Sequence, residues 1–158
     1  MKSLHPYFGA RAVLATMHGK EVAVREPFFE GLGLNIVTPD IIDTDAFGSF
    51  TGEIRRPLGV KDTAVAKAKL GMQLTGLPIG IASEGSFGPH PEIPIIPADM
   101  ELMVLVDSQR DLVLSQWLIS DETNFAHIEI NASGDLTSFL ETTKFPSHAL
   151  IVKPNKPV

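Results

Sequence analysis

Short apolar runs alternate with helically spaced segments through the first half of the chain, the pattern of an α/β domain. Ala12-Val13-Leu14-Ala15-Thr16 is a continuous apolar run closed by a polar residue and predicts a buried first strand. From Lys20 to Leu32, Val22, Val24, Phe28, Phe29 and Leu32 recur at helical spacing and predict a helix. Pro27 is expected to kink or restart it, and Gly31 and Gly33 to stop it. Leu34-Asn35-Ile36-Val37 predicts a second strand, ended by Thr38-Pro39-Asp40. A further helix, capped by Asp62 or Thr63, is expected to run to about Thr75 before Gly76 and Pro78. Val65, Leu70, Met72 and Leu74 are expected on its buried side.

Ile79-Gly80-Ile81-Ala82 then predicts a third strand that ends at Glu84 and runs out into a glycine-rich loop through Gly85, Ser86 and Gly88. Pro89, Pro91, Pro94 and Pro97 stiffen the loop that follows and make it a poor helix or central strand. Glu101 to Val106 and Leu112 to Ile119 predict an antiparallel hairpin, on which Trp117 is expected in the core. Phe125 to Ile130 predicts another strand, Ser133 to Thr143 a last helix, and Ala149 to Val152 a last strand. Between these elements, the irregular stretch Asp40 to Gly59 is expected to form a functional loop or flap. The expected architecture is α/β, with a mixed central sheet, flanking helices and a long antiparallel hairpin. It covers residues 1–152 as one domain, followed by a Pro-rich tail over 153–158.

Bulk composition narrows the classes. A chain of 158 residues, 44% hydrophobic and 20% charged, is long enough to bury roughly two-thirds of its unfolded surface. No apolar run of about eighteen residues exists to span a membrane, and residues 1–7 lack the apolar core of a signal peptide, so a cytoplasmic location is expected. The absence of cysteine excludes disulfides and thiolate metal sites within this chain. A net charge of −6 argues against general binding to nucleic-acid backbone but not against a small phosphorylated ligand.

Candidate chemistry gathers at the expected strand ends. Thr16-Met17-His18-Gly19-Lys20 joins the first strand to the first helix, where free amides, Thr16, His18 and the Lys20 cation suit a phosphate as well as a plain helix start. Gly85, Ser86 and Gly88 allow close backbone approach to a ligand, while Glu84 can accept a proton or hold a metal. Glu53, with Asp43 and Asp45 nearby in sequence, offers the oxygen ligands that magnesium prefers, although loop carboxylates are ordinarily solvated. Lys67, in preference to Lys69, is expected to face the cleft. His90, boxed by Pro89 and Pro91, is a candidate acid–base partner of Glu84; His127, near Glu122, Thr123 and Asn124, falls on a strand or loop, and His148 reads as structural. Neither a Gly-x-Ser-x-Gly elbow nor a His-Glu-x-x-His zinc signature occurs.

Two resemblances follow from these residues. Ala82 to Pro91 (ASEGSFGPHP), with Thr123-Asn124-Phe125-Ala126-His127 and Phe145-Pro146-Ser147-His148, resembles an uncharacterised bacterial domain-of-unknown-function family over nearly the whole chain. That likeness implies no activity; it does imply a continuation beyond the Pro-rich tail. The order Thr16 to Lys20, Glu53, Lys67-Ala68, Glu84-Gly85 and the Glu101 to Ile119 hairpin is similar to the inosine triphosphate pyrophosphatase-like fold of house-cleaning nucleotide pyrophosphatases. The first turn is one residue short of that pattern, and one carboxylate, Glu84, stands where those enzymes carry two. This resemblance implies a nucleotide- or phosphate-ester-handling domain, a magnesium-dependent nucleoside triphosphate pyrophosphatase in its most specific form. Glu53 and Glu84 would then hold the metal, with Lys20 and Lys67 balancing the phosphate charge. It also implies a hairpin of the kind that pairs across a two-fold axis, hence a homodimer. The competing expectation is a non-catalytic ligand-binding or interaction module; a third is a metal-free hydrolase using Glu84 and His90.

Overall fold

The computed structural model describes residues 5–16, 20–39, 59–131 and 133–154. The elements run β1 (Arg11–Ala15), α1 (Glu21–Leu32), β2 (Asn35–Val37), α2 (Val60–Thr75), β3 (Ile79–Pro89), β4 (Pro97–Asp107), β5 (Leu112–Ser120) and α3 (Thr137–Thr142). The five strands form one mixed sheet in the order β2-β1-β3-β4-β5. β1 pairs in parallel with β2 and with β3, Val13 lying opposite Val37 on one side and Gly80 on the other. Only seven residues join β3 to β4 and four join β4 to β5, too few for a parallel crossover, so these neighbours run antiparallel.

The chain divides into two compact units, one of Met1–Glu84 with Glu101–Trp117 and one of Gly85–Met100 with Leu118–Val158. In the first, strand alternation sends successive side chains to opposite faces, and each face receives one helix. Ala12, Leu14, Ile79, Ile81 and Leu105 pack with Val24 of α1, while Val13, Ala15, Ala82, Leu102, Val104 and Val106 pack with Ala64 and Ala68 of α2.

In both helices part of the expected apolar side packs on the sheet and part is exposed. In α1, Val24 is buried and Phe28 and Leu32 are half-buried, one turn apart, whereas Val22 and Phe29 are exposed. Pro27 lies inside one continuous helix, and Gly31 belongs to that helix as well. Gly33 ends it in the left-handed conformation at φ 67°, donating its N–H to Phe29 O at 2.8 Å. In α2 the N-cap is Gly59, and the fully buried residues are Thr63, Ala64, Lys67, Ala68 and Gly71; Val65, Leu70 and Met72 pack half-buried against the same core, and Leu74 is exposed. Small residues win because the helix lies very close to β3. A Cβ built on Gly80 would sit 2.5 Å from Ala68 O and 2.8 Å from Met72 Cγ.

The second half departs further from expectation. β3 continues through Gly85, Ser86 and Gly88 to Pro89, so the expected glycine-rich loop is strand. A strand with hydrogen-bonded neighbours stays extended through glycines that merely permit other conformations. Residues 125–130 and 149–152 carry no strand, and the last helix is shortened to Thr137–Thr142. Trp117 is exposed rather than core. It belongs to β5, the outer strand of the sheet, whose residues Val113 to Ile119 are all exposed and enter neither apolar cluster.

Candidate functional site: paired charges at the carboxyl ends of β1 and β3

The order β2-β1-β3 sets the carboxyl ends of β1 and β3 side by side. From its carboxyl end β1 leads through α1 to β2 on one side, whereas β3 leads to β4 on the other. Connections that part in this way leave a gap between the two strand ends, the usual ligand position in open α/β sheets. Thr16 follows β1 directly and is half-buried there, and Lys20 stands at the start of α1. Ser83 and Glu84 follow Ala82, the last β3 residue in register with β1.

Alternation along β3 then sorts the charges. Ala82 faces α2, so Glu84 does too, and Ser83 faces α1. On the α2 side, Lys67 Nζ lies 2.5 Å from Glu84 Oε1, and both side chains are buried, at 10% and 3% exposure. Helical side chains lean toward the helix N-terminus, so Lys67 can reach from the sheet-facing side of α2 toward the carboxyl edge. On the α1 side, Lys20 Nζ donates to Ser83 Oγ at 3.1 Å and to both Glu101 carboxylate oxygens at 3.1 Å. Lys20 and Glu101 are about one-third exposed, at 34% and 37%. The two expected cleft lysines therefore approach the β3 end from opposite faces of the sheet, each with its own carboxylate.

Glu101 was not singled out by motif or spacing. The available signal was strand alternation: Glu101 shares its parity with Met103 and Leu105, which pack on the α1 side, and so had to face Lys20 rather than Lys67. That inference needs the β3–β4 neighbourhood, which no local pattern contains.

Gly85, Ser86, Gly88 and His90 belong to the second compact unit. His90 closes the β3–β4 connection: its amide donates to Ile96 O at 2.7 Å, and its Nδ1 accepts from the Glu92 and Ile93 amides, each at 3.2 Å. That use of the Nδ1 lone pair places the ring proton on Nε2 and leaves Nε2 as the only nitrogen for other work. His127 is exposed, and His148 Nδ1 lies 3.1 Å from Ser147 Oγ. His18, Glu53, Asp43 and Asp45 lie outside the described residues, as does most of the expected flap. Among the described residues no three His, Asp or Glu side chains come together to hold a metal ion.

A second charged cluster in the first unit is structural. Asp107, fully buried at the end of β4, accepts from the Gln109 and Arg110 amides at 2.9 and 3.2 Å and from Arg110 Nη1 at 2.8 Å. Burial pushes this carboxyl up, but the Arg110 guanidinium, the two amides and the Tyr7 phenol outweigh it and hold Asp107 below its ordinary value. Burial, followed by the nearby Asp107 carboxylate, pushes the Tyr7 phenol above its usual value, with Arg110 opposing. The Arg110 guanidinium lies 4.9 Å from the Tyr7 ring centroid and its Nη2 donates to Pro6 O at 3.3 Å, tying the chain start to the β4–β5 turn.

These features define an α/β domain with two ion pairs at the carboxyl end of β3, one on each face of its sheet. No helix among the described residues is long and apolar enough to cross a membrane. The family model for the domain of unknown function DUF6671 matches residues 67–157, and the chain belongs to that family. The match begins at Lys67 and takes in Ser83, Glu84 and Glu101; β1, α1 and Lys20 precede it. A search of curated proteins finds no match.

Proposed function

We propose that this domain binds a small phosphate-bearing ligand in the crevice between β1 and β3. The observation that carries this reading is the position of Lys20. Its ammonium stands at the start of α1, beside the divergent strand ends, about one-third exposed and hydrogen-bonded to Ser83. A cation at a helix start in a strand-end crevice meets the charge and donor needs of a phosphate. Glu21 in the first turn of α1 works against an anion, so Lys20 is the group on which affinity depends. The more specific form of the proposal is a magnesium-dependent nucleoside triphosphate pyrophosphatase of the inosine triphosphate pyrophosphatase-like fold. It requires Glu53 to join Glu84, and no catalytic step is assigned to the metal.

Calorimetric titration with inorganic pyrophosphate and a panel of nucleoside triphosphates, with and without magnesium, tests the binding reading. Binding that is weakened but still measurable in Lys20→Gln supports it; no binding of any of them by the parent protein refutes it. Pyrophosphate release from the same panel tests turnover. The pairing of Glu84 with Lys67 favours a second reading, binding without hydrolysis, because a carboxylate already engaged by a buried ammonium is less available to a metal. Binding with no released product, whether or not magnesium is present, selects that second reading.

A further inference from the structure

An ammonium group has three N–H donors. Ser83 Oγ and both carboxylate oxygens of Glu101 lie 3.1 Å from Lys20 Nζ, so the cation already has a neutral acceptor and an anion as partners. A phosphate reaching this cation therefore meets a carboxylate that already balances its charge. We propose that Glu101 is an internal competitor for the ligand: its carboxylate occupies Lys20 in the free protein and is displaced when a phosphate group binds. The proposal rests on the phosphate-binding reading of the crevice and adds to it an autoinhibitory contact.

The two ion pairs at the end of β3 differ in a way that assigns the roles. Lys67 and Glu84 are buried at 10% and 3% exposure, and separating them would strand charge in the interior. Lys20 and Glu101 are exposed at 34% and 37%, and a pair at that depth is screened by water and easily exchanged. Lys20 is thus the exchangeable cation and Lys67 the fixed one. Ser83 is neutral and accepts from Lys20 without competing for its charge, so it can stay bound while Glu101 leaves. The displaced carboxylate remains tethered to β4 beside an incoming anion, which adds repulsion to the competition.

The test is calorimetric titration of inorganic pyrophosphate into the parent, Glu101→Gln, Lys20→Gln and the double variant, with circular dichroism to establish that each is folded. Glutamine keeps the shape of the side chain and removes its charge. Pyrophosphate affinity is expected to rise about fivefold in Glu101→Gln, the equivalent of an exposed ion pair of about 1 kcal/mol. The gain should disappear when Lys20 is already Gln, which a general effect of net charge or of local structure would not do. Parent binding that Glu101→Gln leaves unchanged or weakens overturns the competitor role while the phosphate reading stands. Absence of pyrophosphate binding in every variant overturns both. Should the Gln variant fail to fold, Glu101→Ser carries the same expectation and the same refutation.

Discussion

Replacing Lys67 by Met removes the ammonium that lies 2.5 Å from Glu84 Oε1 while keeping a straight apolar stem on the buried side of α2. The carboxylate that loses this cation is 3% exposed, so water cannot take its place. Removing one partner of a buried pair costs about 3–5 kcal/mol. Domains of this kind are typically stable by about 5–15 kcal/mol, so the loss is a large share of the total. For a chain near this length, each kcal/mol corresponds to about 2–4 °C in melting temperature, giving a fall on the order of 10 °C. Glu84→Leu should be similarly costly because it isolates Lys67. Combining the two replaces the pair with apolar groups and should recover most of the loss, leaving a coupling energy above about 2 kcal/mol. The assay is urea denaturation followed by far-ultraviolet circular dichroism, since the exposed Trp117 is a poor reporter of core unfolding. A Lys67→Met variant within about 0.5 kcal/mol of the parent, or additive single variants, refutes the buried pair and with it the division of roles between the two lysines.

Gly80→Ala forces a methyl to within 2.5 Å of Ala68 O, so it should destabilise by about 1–3 kcal/mol; an unchanged urea midpoint would show that α2 is not held so close to β3. Pro27 is exposed within α1 and donates no N–H to Ala23, so Pro27→Ala is expected to stabilise by about 1–2 kcal/mol after allowing for the more flexible unfolded chain. A lower melting temperature in that variant would indicate that the ring contributes contacts of its own. Asp107 has a folded-state pKa below its unfolded value of about 3.9, so its contribution is fully present above that pH and is lost as pH falls through the folded value. Asp107→Asn should therefore be less stable at neutral pH and show a flatter loss of stability below about pH 4, as measured by unfolding free energy against pH. An acid limb identical to that of the parent would exclude Asp107 as its source.

Much of the first half was legible in residues that act locally. The β1 run, the β2 run and the ends of α1 and α2 follow from apolar runs and from glycines that accept left-handed geometry at Gly33 and Gly76. Lys20, Glu84 and Lys67 were legible as chemically capable residues at strand and helix positions near one sheet edge. Their pairing was not, because an ion pair depends on which segments become neighbours and on which parity of each strand faces which helix. Lys20 meets Glu101 across 81 positions of sequence. The glycine-rich segment misled for a related reason: glycine permits a loop without requiring one, and a neighbouring strand decided for extension.

The α/β character of the chain, the bounds of β1, α1 and β2, and the charged side chains near the strand ends all follow from runs of adjacent residues. Tertiary structure alone decided that small residues line the close approach of α2 to β3, that β5 lies at the edge with Trp117 exposed, and that Lys67 and Lys20 take separate carboxylates. Local patterns report the conformational preference of a few adjacent residues. Partnership and burial arise only when distant segments share a surface, where register and interlayer distance select among the contacts that composition allows.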